Sequence, residues 1–320
     1  MGKKKRPRIV VIGGGTGMPV LLRGLKNLPI ELTALVTVAD DGGSTGRIRS
    51  EMAIPAPGDI RNVIAALSDA EPMLLELFQH RFSEGNGLSG HAMGNLLLAA
   101  MTSVTGNFNT GIKEISRVLN VKGKIFPISN ENMSLHAEME DGTIVSGESN
   151  IPLSNKKIKR VFLRPQPVKP LPHAVRAIEA ADLVVISPGS LYTSIMPNLI
   201  IPQVKEALRD TKAKVVYVCN VMTQSGETTG FTASDHVQAI CDHIGEDCLD
   251  SIIVHNEMID QTIRAVYAEE KAEPVKYDKE RLLEMDLEII EGDIINHLQP
   301  TLRHDNNKIA SLLYSLMDKK

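Results

Sequence analysis

Apolar residues along this chain fall in short, punctuated runs. Arg8-Ile9-Val10-Val11-Ile12 is β-branched and ends on glycine, which predicts a fully buried strand. From Met18 to Leu28, apolar positions at Val20, Leu21, Leu22 and Leu25 suit a helix packed on a sheet. Leu32 to Val38 predicts a second strand, closed by Asp40 and Asp41. Strand, glycine loop, helix, strand is the opening of a parallel α/β sheet. Helices are expected over Asp59–Ser68 and Asn95–Thr105, each entered from a glycine-rich loop through a capping-type residue.

Between Lys122 and Pro172 the helical period disappears. Asp141-Gly142 sits between Leu135–Met139 and Ile144–Ser146, the signature of a hairpin. Pro165, Pro167, Pro170 and Pro172 then make a stiff connector. Residues 122–172 are thus expected to form a β-rich insertion that packs on the main sheet. It divides the core into residues 1–121 and 173–275. Strands are predicted at Asp182–Ile186, Val215–Cys219 and Ser251–His255, and helices at Leu199–Leu208 and Ala233–Ile244. Residues 276–320 read as a weaker extension, with a strand at Leu287–Ile290 and a closing helix at Lys308–Met317. The fold class is α/β, a doubly wound, mostly parallel sheet with a β-rich insertion.

Composition narrows the function. With 42% hydrophobic residues the chain can bury a core, and its 320 residues suggest about two domains by length. The longest apolar run, Leu96 to Met101, is far short of the ~20 residues that span a bilayer. A cytoplasmic protein without membrane contact is expected. Five of the first eight residues are Lys or Arg, on a chain of net charge −4. Such an arm binds nucleic acid only weakly, and 3% aromatics supply few stacking platforms, so no nucleic-acid partner is expected. Cys219, Cys241 and Cys248 lack the spacing of a disulfide framework or zinc site.

The candidate chemistry lies in loops. Gly13-Gly14-Gly15-Thr16-Gly17 can bring backbone N–H groups and a helix N-terminus against phosphate oxygens. It matches neither the G-x-G-x-x-G dinucleotide fingerprint nor a Walker P-loop. Asp40 and Asp41 are placed for ribose hydroxyls or, as paired carboxylates, for Mg²⁺. Ser44 lies in the same loop, where Arg47 and Arg49 suit bidentate phosphate contacts. Pro57-Gly58-Asp59-Ile60-Arg61-Asn62 puts Arg61 and Asn62 in the first turn of a helix. His91, Gly94 and Asn95 form a fourth cluster, with His91 suited to acid–base or phosphate contact. Ser187-Pro188-Gly189-Ser190-Leu191-Tyr192-Thr193-Ser194 offers hydroxyls and N–H groups for a second phosphate or a sugar. A weaker sixth loop begins at Asn220.

Taken together, the loops 13–17, 40–47, 57–62, 94–97 and 187–194 resemble the bacterial gluconeogenesis factor (YvcK-like) family. That family belongs with the CofD-like 2-phospho-L-lactate transferases. The resemblance spans Arg8 to Thr262 and implies a Rossmann-like core that binds a nucleotide diphosphate group. In the transferase branch it implies transfer of a phospholactyl group from a guanosine diphosphate carrier to a deazaflavin alcohol, with Mg²⁺. In the gluconeogenesis-factor branch it implies a UDP-sugar such as UDP-N-acetylglucosamine and a regulatory role in cell shape during gluconeogenic growth. The transferases carry Asp-x-Asp after a proline, where this chain has Asp59-Ile60-Arg61. One carboxylate is replaced by a cation, which favours binding over transfer.

Two readings follow. In the first, Gly13 to Gly17 cradle the diphosphate, Asp40 or Asp41 takes the ribose or a metal, and Ser187 to Thr193 take the remaining phosphate or sugar. In the second, Asp41 and Asp59 hold Mg²⁺ for a phosphotransferase. An NAD-dependent oxidoreductase is a third, weaker option, since the third glycine of its fingerprint is displaced. A homodimer is the default assembly for such a fold.

Overall fold

The computed structural model describes residues 6–259, 267, 269, 271–296 and 304–317. Strands β1 (Arg8–Gly13) and β2 (Glu31–Val36) flank helix α1 (Gly17–Leu25). Five helices follow: α2 (Gly43–Met52), α3 (Gly58–Leu67), α4 (Pro72–Gln79), α5 (Met93–Thr105) and α6 (Phe108–Val118). Then come β3 (Lys124–Pro127), β4 (Ser134–Met139), β5 (Ile144–Ser146) and β6 (Ile158–Arg164). The second half alternates α7 (Pro172–Glu179), β7 (Leu183–Ile186), α8 (Met196–Leu199), α9 (Pro202–Asp210) and β8 (Lys214–Val218). It continues with α10 (Ala233–Ile244), β9 (Ser251–His255), α11 (Lys279–Leu283), β10 (Glu288–Gly292) and α12 (Asn306–Ser315).

Seven strands lie in the order β10-β9-β8-β7-β1-β2-β3, and every neighbouring pair is parallel. Helices on both faces bury the central strands, which is why they read as unbroken apolar runs. Ile9, Val11 and Ile12 of β1 are wholly buried, as are Val184 to Ile186 of β7. Strand order runs outward from β1 in one direction and from β7 in the other. Their carboxyl ends therefore frame a switch point, where such sheets open a ligand crevice.

β4, β5 and β6 form a separate antiparallel sheet. β4 alternates, with Leu135, Ala137 and Met139 turned inward, so one face packs on the core and the other meets solvent. β3 differs from expectation. It falls in the stretch read as insertion, yet it is the edge strand of the main sheet, with Thr33 opposite Lys124 and Leu35 opposite Phe126. The tail is likewise part of the core: β10 pairs with β9, and α12 lies so close to α1 that a Cβ at Gly24 would overlap the Asn306 carbonyl.

Helices α2, α4, α6, α7 and α11 carry no expectation from sequence. α2 opens on Gly-Ser-Thr-Gly, a poor helix former, and is held by tertiary contacts instead. Arg49 on α2 is buried, donating to the Ala39, Asp40 and Met133 carbonyls and to Asn132 Oδ1. α6 has ordinary signals, an Asn107 cap on Thr110 N–H and buried Phe108, Ile112 and Ile115. α4 is apolar on nearly every side. Among the described residues, no helix is long and apolar enough to cross a membrane.

Candidate functional site

The loops after β1 and β7 nest against each other at the switch point. A Cβ on Gly13 would overlap the Ser187 hydroxyl, and one on Gly14 would stand 2.5 Å from Thr37 Cγ2 and 2.6 Å from Asp59 Oδ2. Gly15 has a φ of +62° and donates its N–H to Asp59 Oδ2 at 2.8 Å. These glycines are thus required by loop packing as well as by any ligand. Gly14→Ala is expected to destabilise the protein by about 1–3 kcal/mol through overpacking, read by chemical denaturation.

Beside this nest, the N-termini of α2, α3 and α5 converge. Neither Gly42, Pro57 nor Ala92 caps its helix with a side chain, and Thr16 does not cap α1. By contrast α4, α6 and α10 are capped by Glu71, Asn107 and Thr232; α7 and α9 are uncapped but begin on proline, which removes one N–H. The N–H groups opening α2 and α3, and the three helix dipoles, favour an anion, although at α5 the His80 and Ala92 carbonyls already take the Met93 and Asn95 N–H groups. They surround a cleft of about 290 Å³ lined by Asp40, Ser44, Thr45, Asp59, Arg61, Asn62, Arg81 and Asn95, among others.

Two buried atoms in this cleft have no partner among the described residues: Arg61 Nε and Asn95 Oδ1. Arg61 donates only to Asn62 Oδ1, at 2.8 Å, and burial together with nearby Arg81 presses against its charge. Ser44 Oγ is 3.0 Å from His91 Nδ1 and accepts from Asn95 Nδ2 at 3.1 Å, all three side chains being buried. His91 is pushed below the usual histidine range by burial and then by Arg47. Arg47 and Arg81 donate to the Ser89 and Gly90 carbonyls, which ties down the α4–α5 connection. Gly94 seats α5 against Phe78.

The carboxylates divide into two kinds. Asp41 accepts from the Glu148 and Ser149 N–H groups and the Ser149 hydroxyl, so both its oxygens are engaged by the turn after β5. Asp40 and Asp59 border the cleft, each with one oxygen about 2.6 Å from where a Cβ on Gly58 or Gly14 would sit. Burial pushes the Asp59 carboxyl up to about 6, with Asp40 adding repulsion. Glu148 is pushed up to about 8 by burial and by Asp40, Asp59 and Asp41. Like charges gathered in this way fit a divalent cation held by Asp40 and Asp59 with phosphate oxygens completing its shell. No group of three or more metal-ligating side chains stands ready among the described residues.

A larger cleft of about 460 Å³ opens on the other side of the glycine loop. Thr16, Gly17, Pro188, Gly189, Ser190, Asn220 and the segment 221–225 line it, with Tyr267, Ala272 and His304. Asn220 clamps Gly189, accepting its N–H and donating to its carbonyl. Tyr192 and Thr193 turn away from this cleft: Tyr192 N–H and the Thr193 hydroxyl both donate to buried Glu227, at 2.9 and 2.7 Å. Ser187 Oγ is buried against Gly13 without a partner. Sequence reasoning missed Arg81, Glu148, Glu227 and His304. Only Glu227 lay in a loop already marked; Glu148 sits in Ser146-Gly147-Glu148-Ser149, which reads as an ordinary turn after a hairpin strand, and Arg81 and His304 have no such signature around them.

Comparison with known proteins gives the family. The CofD family, described as 2-phospho-L-lactate transferase CofD, matches residues 9–295. A gluconeogenesis factor of Halalkalibacterium halodurans is 57% identical over 309 residues, covering 97% of this chain and 96% of the relative. One from Bacillus subtilis is 55% identical over 317 residues, covering 99% of each. A crystal structure of a Bacillus halodurans protein superposes with a TM-score of 0.95 at 57% identity, covering 97% of this chain and all of that one. The chain belongs to the CofD family, and within it to the gluconeogenesis factors.

Proposed function

We propose that this protein is a cytoplasmic regulator of gluconeogenic growth and cell shape that binds a UDP-sugar, such as UDP-N-acetylglucosamine, without consuming it. The nucleoside occupies the cleft between Gly17, Ser190 and Asn220. The diphosphate runs from the Gly15–Gly17 loop into the smaller cleft of Arg61, Arg81 and Asn95, where a phosphate oxygen meets Arg61, and the sugar lies beyond it. The single observation that carries this reading is the partly buried Arg61 guanidinium. It has an unpartnered Nε, a second arginine nearby and three uncapped helix N-termini around it. Asp59 and Asp40 offset part of this positive charge, but the desolvated Nε still lacks an acceptor, which a ligand anion would supply. The relatives' name, gluconeogenesis factor, supports the link to gluconeogenic growth.

A second reading is a Mg²⁺-dependent transferase acting on a nucleotide-diphosphate-linked donor. Asp59 favours it, being a carboxyl pushed up to about 6 and so able to change charge near neutral pH. Calorimetry with UDP-N-acetylglucosamine, with and without Mg²⁺, tests both. Saturable binding with the ligand recovered intact is expected. Metal-dependent breakdown of the ligand would favour the transferase, and absence of binding would overturn the proposal.

A further inference from the structure

A groove of about 870 Å³ runs along the amino-terminal halves of β1, β2 and β3, away from the carboxyl ends where the two clefts open. Val10, Thr33 and Phe126, which share one face of the sheet, form its floor. α7 forms its wall through His173, Ala177 and Ala180, at i, i+4 and i+7. Right-handed crossovers explain the opening. α1, α3 and α6 link β1 to β2 and β2 to β3 on one face, whereas α7 leads back from β3 to β7 and so lies on the other. There α7 packs beside α9, toward the centre of the sheet, and no described element covers its outer flank. Thr33 and Phe126 therefore stay half-buried and Lys124 exposed. A parallel sheet of this kind expects a helix at that place.

Charge selects what fills it. Six Lys and Arg residues line the groove against a single acidic one, Glu31, on a chain whose net charge is −4. Three of the six are engaged: Arg8 with Asp182, and Lys26 and Lys122 with Asp69. Arg6, Lys124 and Arg176 have no acidic partner among the described residues. We propose that the groove receives an acidic amphipathic helix of a partner protein, laid beside α7 as the helix this part of the sheet lacks. Its apolar side rests on Phe126 and Thr33, and its carboxylates meet Arg6, Lys124 and Arg176. Ala177 and Ala180 present little bulk, so its axis can approach α7 closely. Lys3, Lys4 and Lys5, which precede Arg6 in the sequence, carry the wrong sign to fill the groove themselves. A nucleic-acid strand would match the cations but leave the apolar floor unused, with one face of Phe126 already stacked on His173 at 5.3 Å. The inference stands on this groove alone, whatever ligand the clefts at the other end of the sheet take.

Fluorescence anisotropy of the full chain with a labelled synthetic peptide tests it at physiological salt. The probe has about 18 residues, long enough to populate a helix in water, with Leu along one face, Glu flanking it and Ala elsewhere. Saturable binding is expected. The same peptide with Lys in place of Glu, or with its Leu residues scattered round the helix, should not bind. Lys124→Glu/Arg176→Glu alters two exposed cations that have no ion pair to lose, and should weaken binding at least about tenfold with the circular-dichroism melt retained. Lys113→Glu/Lys212→Glu changes net charge equally at exposed lysines outside the groove and should bind as the wild type does. The glycine loops also attract anions, so hydrogen exchange locates the peptide. Protection is expected over 122–126 and 172–180 and not over 13–17 or 187–194. Absence of binding, equal binding by the Lys124/Arg176 variant, or protection confined to the glycine loops would overturn the proposal. So would tighter binding of a single-stranded oligonucleotide, or a dimer of the free protein, that the same variant abolishes. Should that variant fail to fold, the exchange footprint on the wild type decides.

Discussion

Arg61→Met is expected to weaken binding of a UDP-sugar by roughly 10- to 100-fold, the loss of a charge-assisted hydrogen bond of about 1.5–3 kcal/mol. The ligand-free protein should lose no stability, and a gain is the expected direction. Arg61 sits partly buried beside Arg81, with an unpartnered Nε and no acidic side chain hydrogen-bonded to it. Met replaces much of its length without a charge to desolvate. Function and stability therefore move in opposite directions, as at a site held in readiness for a ligand. Calorimetry paired with urea denaturation reads both. A variant that binds as well as the wild type, or that loses stability by several kcal/mol, would show that Arg61 braces the fold instead.

Asp59→Asn is expected to remove a pH dependence of stability. Burial raises this carboxyl from 3.8 to about 6, so the folded state disfavours the charged form. Its stabilising contribution is fully present below the ordinary carboxyl value and is lost as pH rises through about 6. Wild-type stability should accordingly fall across that window by about 1–3 kcal/mol from this group. The Asn variant should be flatter there and more stable at pH 8, since an amide oxygen still accepts the Gly15 N–H. Glu148, raised from 4.5 to about 8, adds a decline between those pH values that Asp59→Asn only lessens, because burial is its main cause and Asp59 is one of several carboxylates adding to it. If Asp59 also helps to hold Mg²⁺, the metal-dependent part of ligand binding disappears in the same variant. Equal slopes for the two proteins between pH 4 and 6 would contradict the burial argument.

The parallel strands were legible because burial on both faces demands continuous apolar runs, as in Val10-Val11-Ile12 and Val184-Val185-Ile186. The loops at the switch point were legible because close approach demands glycine. Less legible was what each polar residue faces. Asp41 and Thr193 look like ligand contacts in one dimension, yet Asp41 anchors the turn at 148–149 and Thr193 holds Glu227. Both are long-range pairings that no local pattern encodes. α2 escaped for a related reason: its glycines argue against a helix, and the contacts that hold it come through Arg49 from residues as distant as Met133. β3 was hidden by its shortness, four residues at a sheet edge with a proline at the end.

A crystal structure of the protein with UDP-N-acetylglucosamine tests the central claim most directly. The account predicts diphosphate density over the Gly15–Gly17 loop, the nucleoside between Ser190 and Asn220, and the Arg61 guanidinium within hydrogen-bond distance of a ligand oxygen. The same ligand seated elsewhere, for example in the basic groove of about 870 Å³ lined by Arg8, Lys124 and Arg176, would contradict it.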